Sequence, residues 1–265
     1  MTSLTPVAPS ARDPKSVLVG LPAAGDPLFD LSRMVALLEN HPNPYGWKFR
    51  VVKIGNQGLA KARNVLTFLA RCSDASQIVM IDSDVPATNG HVYRLLDHPE
   101  LVVGALYPKK EIPLAWVGEF REVDPKRAHP KGLWPMLSVG SGLVKVRLEA
   151  IDQLLGRWWA GPPHYESDEE APAYGMHKGD RLHDIWGVGV VTDDWFGRRY
   201  PRYLTEDYWF SWLCRRAKIP LWVDPFCQVG HVGRCDFLEV NAKIEAEVER
   251  RLAAERAAER PTLRP

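Results

Sequence analysis

Short apolar segments alternate with segments of helical spacing along the first part of the chain, and this alternation most constrains the fold. The predicted strands lie at residues 16–22, 47–54, 77–81 and 101–106. Helical spacing separates them at residues 28–38, 59–71 and 91–96. The order β-α-β-α-β-α-β predicts an α/β domain whose mostly parallel central sheet has helices on both faces.

The second half of the chain is less regular. A strand broken by Gly140-Ser141-Gly142 is predicted over 136–146, helices over 148–155 and 205–217, and a strand over 221–223. Residues 161–184 mix Pro, Gly, His and charged residues without a repeating pattern. Such a stretch inside a compact domain is typical of a functional or a disordered loop.

The size and composition of the chain favour one domain. At 265 residues and 45% hydrophobic composition, it can build one large α/β core. We expect a leader at 1–15, a single catalytic domain at 16–235, and a C-terminal helix and tail at 236–265.

Charge and cysteine content exclude several classes of protein. The net charge of +1 gives no global attraction to nucleic acid or to anionic membranes. No apolar run approaches the ~18 residues of a membrane span, and the N-terminal residues lack the apolar core of a secretory signal. The four cysteines show no CxxC spacing, so we expect a reduced, cytoplasmic protein.

Two carboxylates follow the third predicted strand directly. Asp82 and Asp84 come after Ile78-Val79-Met80-Ile81, and side chains at i and i+2 of an extended chain point the same way. Open α/β sheets bind ligands at the carboxyl ends of their strands. A divalent cation there would relieve the repulsion between the carboxylates and could also hold a diphosphate. The alternative is a turn cap at Asp82 beside a solvated Asp84.

Two later segments accompany this acidic pair. Thr205-Glu206-Asp207 opens a predicted helix with two carboxylates, and His231 lies between small residues in Val229-Gly230-His231-Val232-Gly233. A neutral imidazole with small neighbours can approach a metal ion closely.

In this order, the segments resemble those of a GT-A-fold glycosyltransferase of the family 2-like, DxD type. The similarity covers residues 16–233. Its motifs are the first strand with Pro22, Leu59-Ala60-Lys61-Ala62-Arg63-Asn64, Asp82-Ser83-Asp84, Ser138-Val139-Gly140-Ser141-Gly142, Thr205-Glu206-Asp207 with Asp224-Pro225, and Val229-Gly230-His231. Each motif is short, and the similarity rests on the ordered set.

The resemblance implies a Rossmann-like GT-A fold and a role for each matched position. Asp82 would contact the nucleotide, while Asp84 and His231 would hold Mn²⁺ or Mg²⁺. Further contacts with the nucleotide-sugar are expected from Pro22, Ala23, Arg63, Ser83, Lys110, Gly140, Ser141 and Trp186. Residues 161–184 would form a lid ordered by donor binding, hinged at 185–187.

The implied chemistry is transfer of a sugar from a nucleotide-sugar, with UDP preferred to GDP, onto an acceptor hydroxyl. The metal would stabilise the charge that develops on the leaving diphosphate. In an inverting enzyme a carboxylate deprotonates the acceptor, and we expect Asp207 in this role, with Glu206 as the second choice.

Other readings stay open. A nucleotidyltransferase or phosphotransfer enzyme also uses paired aspartates and a metal, but the first strand lacks a Gly-rich phosphate loop with a nearby Lys. A non-catalytic nucleotide- or carbohydrate-binding protein could keep the same fold. Glycan, lipid-linked sugar, protein and small molecule are all open as acceptors. Basic and aromatic residues at 198–202 make a hydroxymethylated base of phage DNA a further alternative.

Overall fold

The computed structural model describes residues 5–23, 31–40, 43, 45–55, 57–121, 129–157, 163–169, 171–193, 200–233, 242 and 246. Its strands are β1 (Asp13–Ala23), β2 (Lys48–Gly55), β3 (Ala75–Ile81), β4 (Val102–Leu106), β5 (Glu119–Phe120), β6 (Trp134–Ser138), β7 (Leu143–Arg147), β8 (His164–Glu166), β9 (Arg181–His183), β10 (Gly189–Asp193), β11 (Tyr200–Leu204) and β12 (Leu221–Gln228). Its α-helices are α1 (Ser32–Asn40), α2 (Leu59–Arg71), α3 (Asn89–Leu96), α4 (Leu148–Arg157) and α5 (Glu206–Arg216).

Eight of these strands form one sheet in the order β2-β1-β3-β7-β4-β12-β6-β5. β1 pairs in parallel with β2 and β3, and β4 pairs in parallel with β12. β7 lies antiparallel between β3 and β4, while β6 is antiparallel to both β12 and β5. Six of the eight strands therefore share one direction. The predicted α/β class with a mostly parallel sheet is confirmed, and the architecture is consistent with a Rossmann-like GT-A fold.

The segment around Gly140 is not the single interrupted strand that we predicted. β6 pairs with β12 toward one end of the sheet, whereas β7 is inserted at its centre. Residues 139–142 carry the chain from one position to the other. The prediction was wrong about pairing because an apolar pattern locates a strand without specifying its neighbours.

Two apolar layers cover the faces of the sheet. Consecutive residues of β1 point to opposite faces, so Leu18 packs with α2, α4 and α5, whereas Val17 and Val19 pack with α1 and α3. Both faces of the central strands are buried, which explains their nearly continuous apolar sequence.

The described residues of the predicted leader contact the domain. β1 begins at Asp13, before the predicted start at residue 16. The Val7 amide donates to the Arg71 carbonyl (2.6 Å), and Arg12 forms an ion pair of 2.6 Å with Asp152 on α4. Residues 1–4 lie outside the described residues, as does most of the predicted C-terminal helix and tail at 236–265.

The described part of 161–184 has its own structure. β8 and β9 pair antiparallel, and Ala171–Tyr174 forms a 3-10 helix between them. Met176 and Leu182 are buried in the same apolar layer as α2. The segment is therefore packed on the domain, and its movement as a lid stays a prediction. None of the helices in the described ranges has the length and apolar character that crossing a membrane requires.

A lysine is buried at the centre of the sheet. Lys145 on β7 is 0% exposed, and its Nζ donates to the carbonyl oxygens of His98 (2.8 Å) and Glu100 (2.5 Å). These carbonyls belong to the loop between α3 and β4, so the side chain replaces their lost contact with water. Burial lowers the pKa of Lys145 to about 7, although the nearby Glu100 acts in the opposite direction.

This lysine should make stability depend on pH. Because the pKa of Lys145 is about 7 in the folded protein and near 10.5 when unperturbed, the unfolded chain binds more protons between those values. The contribution of Lys145 to the free energy of unfolding therefore rises with pH across this window, by up to about 1.4 kcal/mol per pH unit. Urea unfolding of the wild type and of Lys145→Met along a pH series measures it. Equal pH slopes for the two proteins would contradict the assignment.

Candidate active site

The acidic turn lies where β3 ends, at the carboxyl edge of the sheet. The Asp82 amide donates to the Gly142 carbonyl (2.8 Å), and the Val85 amide closes the turn on the Asp82 carbonyl (3.1 Å). The Val232 amide donates to the Asp84 carbonyl (2.7 Å). The structure thus brings the turn, the glycine-bearing segment and the segment around His231 together, although they are far apart in sequence.

Arg63 on α2 joins two of the predicted carboxylates. Its Nη2 donates to both oxygens of Asp82 (2.6 and 2.8 Å), and its Nη1 donates to Oε1 of Glu206 (2.6 Å). Burial alone would lower the pKa of Arg63, but the two carboxylates raise it, so the guanidinium stays charged. Arg63 is 0% exposed. It therefore acts as a buried link between the end of β3 and the start of α5.

Asp82 is the most perturbed carboxylate of this group. Burial raises its pKa to about 6; the neighbouring Asp84 and Glu206 act in the same direction, and Arg63 opposes them. The pKa stays below neutral pH, so Asp82 is ionised at pH 7 opposite the guanidinium.

Asn64, the neighbour of Arg63, binds the segment that follows β9. Its side-chain amide donates to Asp184 Oδ1 (2.8 Å), and its carbonyl oxygen accepts from the Trp186 amide (2.9 Å). Trp209 on α5 donates to the Asp184 carbonyl (3.1 Å). The chain after β9 is therefore fixed to α2 and α5 beside the acidic turn. Neither Asn64 nor Asp184 was among the predicted site residues.

Asp84 faces both Lys110 and His231 with one oxygen. Lys110 Nζ lies 2.6 Å and His231 Nε2 lies 3.5 Å from Asp84 Oδ2. Burial alone would raise the pKa of Asp84, but hydrogen bonding to His231 and Lys110 outweighs it and lowers the pKa to about 2. Asp84 is therefore ionised at neutral pH.

His231 is oriented by the backbone. Its Nδ1 lies 2.8 Å from the Pro108 carbonyl oxygen, which can only accept, so Nδ1 carries a proton. Nε2 faces Asp84 Oδ2 at 3.5 Å, where a protonated ring can donate to the carboxylate. In a neutral ring Nε2 would carry a lone pair, and a cation between it and the carboxylate would then stabilise the two.

The donor set fits part of a divalent metal site. Asp84 offers a carboxylate oxygen and His231 offers Nε2, while its other ring nitrogen is anchored as metal-bound histidines usually are. Among the described residues, no group of three or more His, Cys, Asp or Glu side chains could hold a metal ion. The remaining ligands would have to be oxygens of water or of a bound phosphate, which is how proteins usually bind Mg²⁺.

Tyr107 forms the floor of this region, and the sequence analysis missed it. Its hydroxyl oxygen accepts from the Gly142 amide (2.8 Å), and its ring lies edge-on to His231 at 5.4 Å. A Cβ at Gly140 would overlap the Tyr107 hydroxyl, and one at Gly142 would lie 2.9 Å from the ring. Residues 140 and 142 must therefore be glycine for the chain to approach Tyr107 closely. The only sequence signal for this floor was the adjacent Tyr107-Pro108.

The two predicted catalytic carboxylates have different surroundings. Glu206 is bound to Arg63. Asp207 Oδ1 accepts from Thr205 Oγ1 (2.7 Å) and the Tyr208 amide (2.8 Å). Burial raises the pKa of Asp207, and the charge of Glu206 adds to the increase. Asp207 thus has a raised pKa and is not among the carboxylates that Arg63 binds.

The other predicted contacts are placed as follows. Pro22 is buried near the end of β1, and Ser83 is half-buried in the acidic turn. Ala23 ends β1, and the loop after it lies outside the described residues. Trp186 is 1% exposed and stacks on Phe210, so a contact with a diphosphate would have to come from its backbone.

Two predicted features remain to be placed: Asp224, which belongs to the resemblance, and the basic cluster at 198–202, which belongs to the DNA alternative. Asp224 is buried on β12, where it accepts from Arg94 and contacts His98, away from the acidic turn. Arg202 on β11 pairs with Glu119 (2.8 Å). Residues 198 and 199 of the basic cluster lie outside the described residues.

Comparison with known proteins gives only distant likenesses. No protein-family model matches the chain, and no curated protein matches it. Among solved structures, A197 from STIV is 13% identical with a TM-score of 0.42, covering 82% of this chain and 85% of its own.

Two further structures are similar at lower scores. A 4-diphosphocytidyl-2C-methyl-D-erythritol synthase from Anaerococcus prevotii DSM 20548 is 10% identical with a TM-score of 0.33, covering 64% of this chain and 86% of its own. A putative glucose-1-phosphate thymidylyltransferase from Bacillus anthracis, in complex with a sucrose, is 12% identical with a TM-score of 0.27, covering 52% and 74%. Likeness at this level assigns no activity to the chain.

Replacing the buried link should destabilise the fold in a pH-dependent way. Arg63→Met leaves Asp82 and Glu206 without their cation, and we expect a loss of about 3 kcal/mol or more in the free energy of unfolding at pH 7. Without Arg63 the folded-state pKa of Asp82 rises further above its unfolded value. The folded variant then takes up protons as the pH falls, so its deficit should shrink toward pH 5.

Chemical denaturation at pH 7 and pH 5 measures both effects. Arg50→Met, which removes an exposed arginine on β2, is the matched control and should change stability little. A pH-independent deficit, or one no larger than that of Arg50→Met, would refute the role of Arg63.

Proposed function

We propose that the chain is a metal-dependent glycosyltransferase that moves a sugar from a nucleotide-sugar, UDP-linked more than GDP-linked, to an acceptor hydroxyl with inversion. The observation that carries the proposal is the closeness of Asp84 Oδ2 to Nε2 of His231 (3.5 Å), whose Nδ1 is anchored on Pro108. This pairing lies at the strand edge where α/β sheets bind nucleotides.

Asp82 has the properties required for contacting the nucleotide. Both of its oxygens accept from Arg63, yet a carboxylate has about four lone-pair sites and can accept further bonds. A ribose offers two vicinal hydroxyl donors. Because Arg63 holds the carboxylate in one orientation, Asp82 can accept from these hydroxyls without losing side-chain freedom on binding.

Asp84 and His231 would hold the cation. When bound, Mn²⁺ or Mg²⁺ supplies Lewis-acid stabilisation of the negative charge on a diphosphate leaving group. Lys110 now neutralises the same Asp84 oxygen. Its side chain is partly exposed and long enough to turn to a phosphate oxygen, consistent with its predicted role in binding the donor.

Asp207 is the preferred base. In the transfer, the acceptor oxygen forms a bond to the anomeric carbon, the bond from that carbon to the diphosphate breaks with its electron pair, and the acceptor proton moves to Asp207. A raised pKa suits a carboxylate that must take up a proton. Glu206 is less suited because Arg63 holds its charge.

Nucleotide binding should depend on metal through Asp84. We expect UDP to raise the melting temperature with Mn²⁺ but not with EDTA, since a ligand of the native state stabilises it. Asp84→Asn should lose this metal-dependent shift. Asp97→Asn, which changes an exposed carboxylate after α3, should keep it.

Thermal-shift titrations with UDP, GDP, nucleoside triphosphates and UDP-sugars test this expectation. Equal stabilisation by UDP with Mn²⁺ and with EDTA would refute the metal site. Stabilisation by a triphosphate alone, with pyrophosphate release, would favour the nucleotidyltransferase reading. Binding without donor hydrolysis or transfer to any acceptor class would favour the non-catalytic reading.

Asp207→Asn should abolish chemistry without abolishing donor binding. We expect donor hydrolysis by water, which needs the same base, to fall about 100-fold or more. The UDP affinity in Mn²⁺ should stay within about twofold, because Asp207 contacts the acceptor side. Glu206→Gln keeps an oxygen acceptor for Arg63 and should retain hydrolysis. Undiminished hydrolysis in Asp207→Asn would remove Asp207 from the mechanism.

A further inference from the structure

A large groove lies at the opposite edge of the sheet from the acidic turn. It has a volume of about 960 Å³ and runs along α3, past the beginnings of β1 and β3 and the end of β7. It shares no residue with the candidate active site. A glycosyltransferase site at the acidic turn has no use for this space.

The walls of the groove carry an excess of positive charge. Lys15, Arg94, Lys131 and Arg147 line it, and Asp97 is the single acidic residue among the described lining residues. Arg94, Lys131 and Arg147 each pair with a carboxylate, of Asp224, Asp97 and Glu149, but keep 43%, 43% and 39% of their side chains exposed. Their charges therefore remain accessible to an anion in the groove. Together they make a local basic surface on a chain whose net charge is only +1.

Aromatic rings stand among these cations. Tyr45 is 57% exposed, and its ring lies 5.4 Å from that of Tyr93 on α3. Lys15 Nζ lies 4.1 Å above the ring of Trp47. The groove thus offers flat ring surfaces and ammonium groups side by side, and cation–π contact holds one ammonium at the aromatic wall.

One buried polar atom in the wall, Oε1 of Gln77, has no hydrogen-bond partner within the described residues, and Gln77 is 6% exposed. Buried polar atoms are normally hydrogen-bonded, so this oxygen favours a polar occupant over an apolar one. The other polar ring of the wall, His98, is used within the protein: its Nε2 lies 2.9 Å from Asp224 Oδ2 and its Nδ1 lies 3.9 Å from Glu100 Oε2.

We propose that this groove binds single-stranded nucleic acid. The strand's phosphates match the four cations, its bases match the exposed rings, and a base-edge donor matches Oε1 of Gln77. In a duplex the base faces are stacked on one another and cannot reach the rings. Neutral glycans lack the charges that these cations complement. The proposal goes beyond the proposed function and does not depend on it, because the two sites lie at opposite edges of the sheet.

Fluorescence anisotropy with a labelled oligothymidine of about 12 nucleotides tests the proposal on the full chain. The affinity should fall steeply from about 50 to 200 mM salt. The double variant Lys15→Ala/Arg147→Ala should bind more weakly, with a slope of log affinity against log salt that is about 1.4 smaller, since each lost phosphate contact in a single strand contributes about 0.7. Lys53→Ala/Arg33→Ala removes the same charges from exposed positions outside the groove and should leave the slope unchanged.

Variants of Tyr45 test the aromatic contact separately. Tyr45→Ala should weaken binding about fivefold or more, and Tyr45→Phe should restore it because the ring is kept. Tyr45 is exposed, so both variants should fold, which their melting temperatures confirm. A duplex of the same length should bind without dependence on Tyr45.

The outcomes separate the proposal from its rivals. A salt slope reduced by about 1.4 in Lys15→Ala/Arg147→Ala, together with rescue by Tyr45→Phe, would support it. Absence of strand binding, or equal loss in both double variants, would overturn it. Binding of an acidic heparin fragment or of a neutral maltooligosaccharide in the groove, with no binding of the strand, would also overturn it and assign the groove to a glycan. None of these readouts involves UDP or metal, so failure here leaves the proposed function untouched.

Discussion

The buried guanidinium of Arg63 is the interaction on which the candidate active site depends. Removing a charged group from water costs several kcal/mol, and only partners with good geometry offset this cost. Asp82 and Glu206 supply them from β3 and α5, at 2.6 Å each. The consecutive elements α2 and β3 thereby meet the distant α5 at one cation. The acidic turn is consequently positioned by folding itself, and ligand binding does not have to order it.

Asn64 extends this arrangement to a fourth segment. Because it follows Arg63 on the same helix, the two side chains leave α2 in different directions, one toward Asp82 and the other toward Asp184 and Trp186. Trp186 then fills the space between α2 and Phe210 on α5. The Arg63-Asn64 dipeptide of α2 thus holds the acidic turn, the start of α5 and the segment after β9 together.

Much of the first half of the fold could be predicted from the sequence, because short apolar strands alternating with helical spacing leave few topologies. The position of Asp82 and Asp84 after β3 followed from the same pattern. Pairing between distant strands could not be predicted, which is why the segment around Gly140 was misjudged. The closeness of Asp84 and His231 came from the resemblance. Glu206 and Asp207 differ in their surroundings, and Tyr107 forms the floor of the site, because of long-range contacts. A local sequence pattern does not contain such contacts.

The close packing of Gly140 on Tyr107 has a consequence for how this sequence can diverge. Any side chain at residue 140 would collide with the tyrosine hydroxyl, while a smaller residue at 107 would leave a void and an unpaired Gly142 amide. A substitution at either position alone would therefore disturb this packing. Relatives that differ at one of them should carry a compensating change at the other, so residues 107 and 140 should vary together.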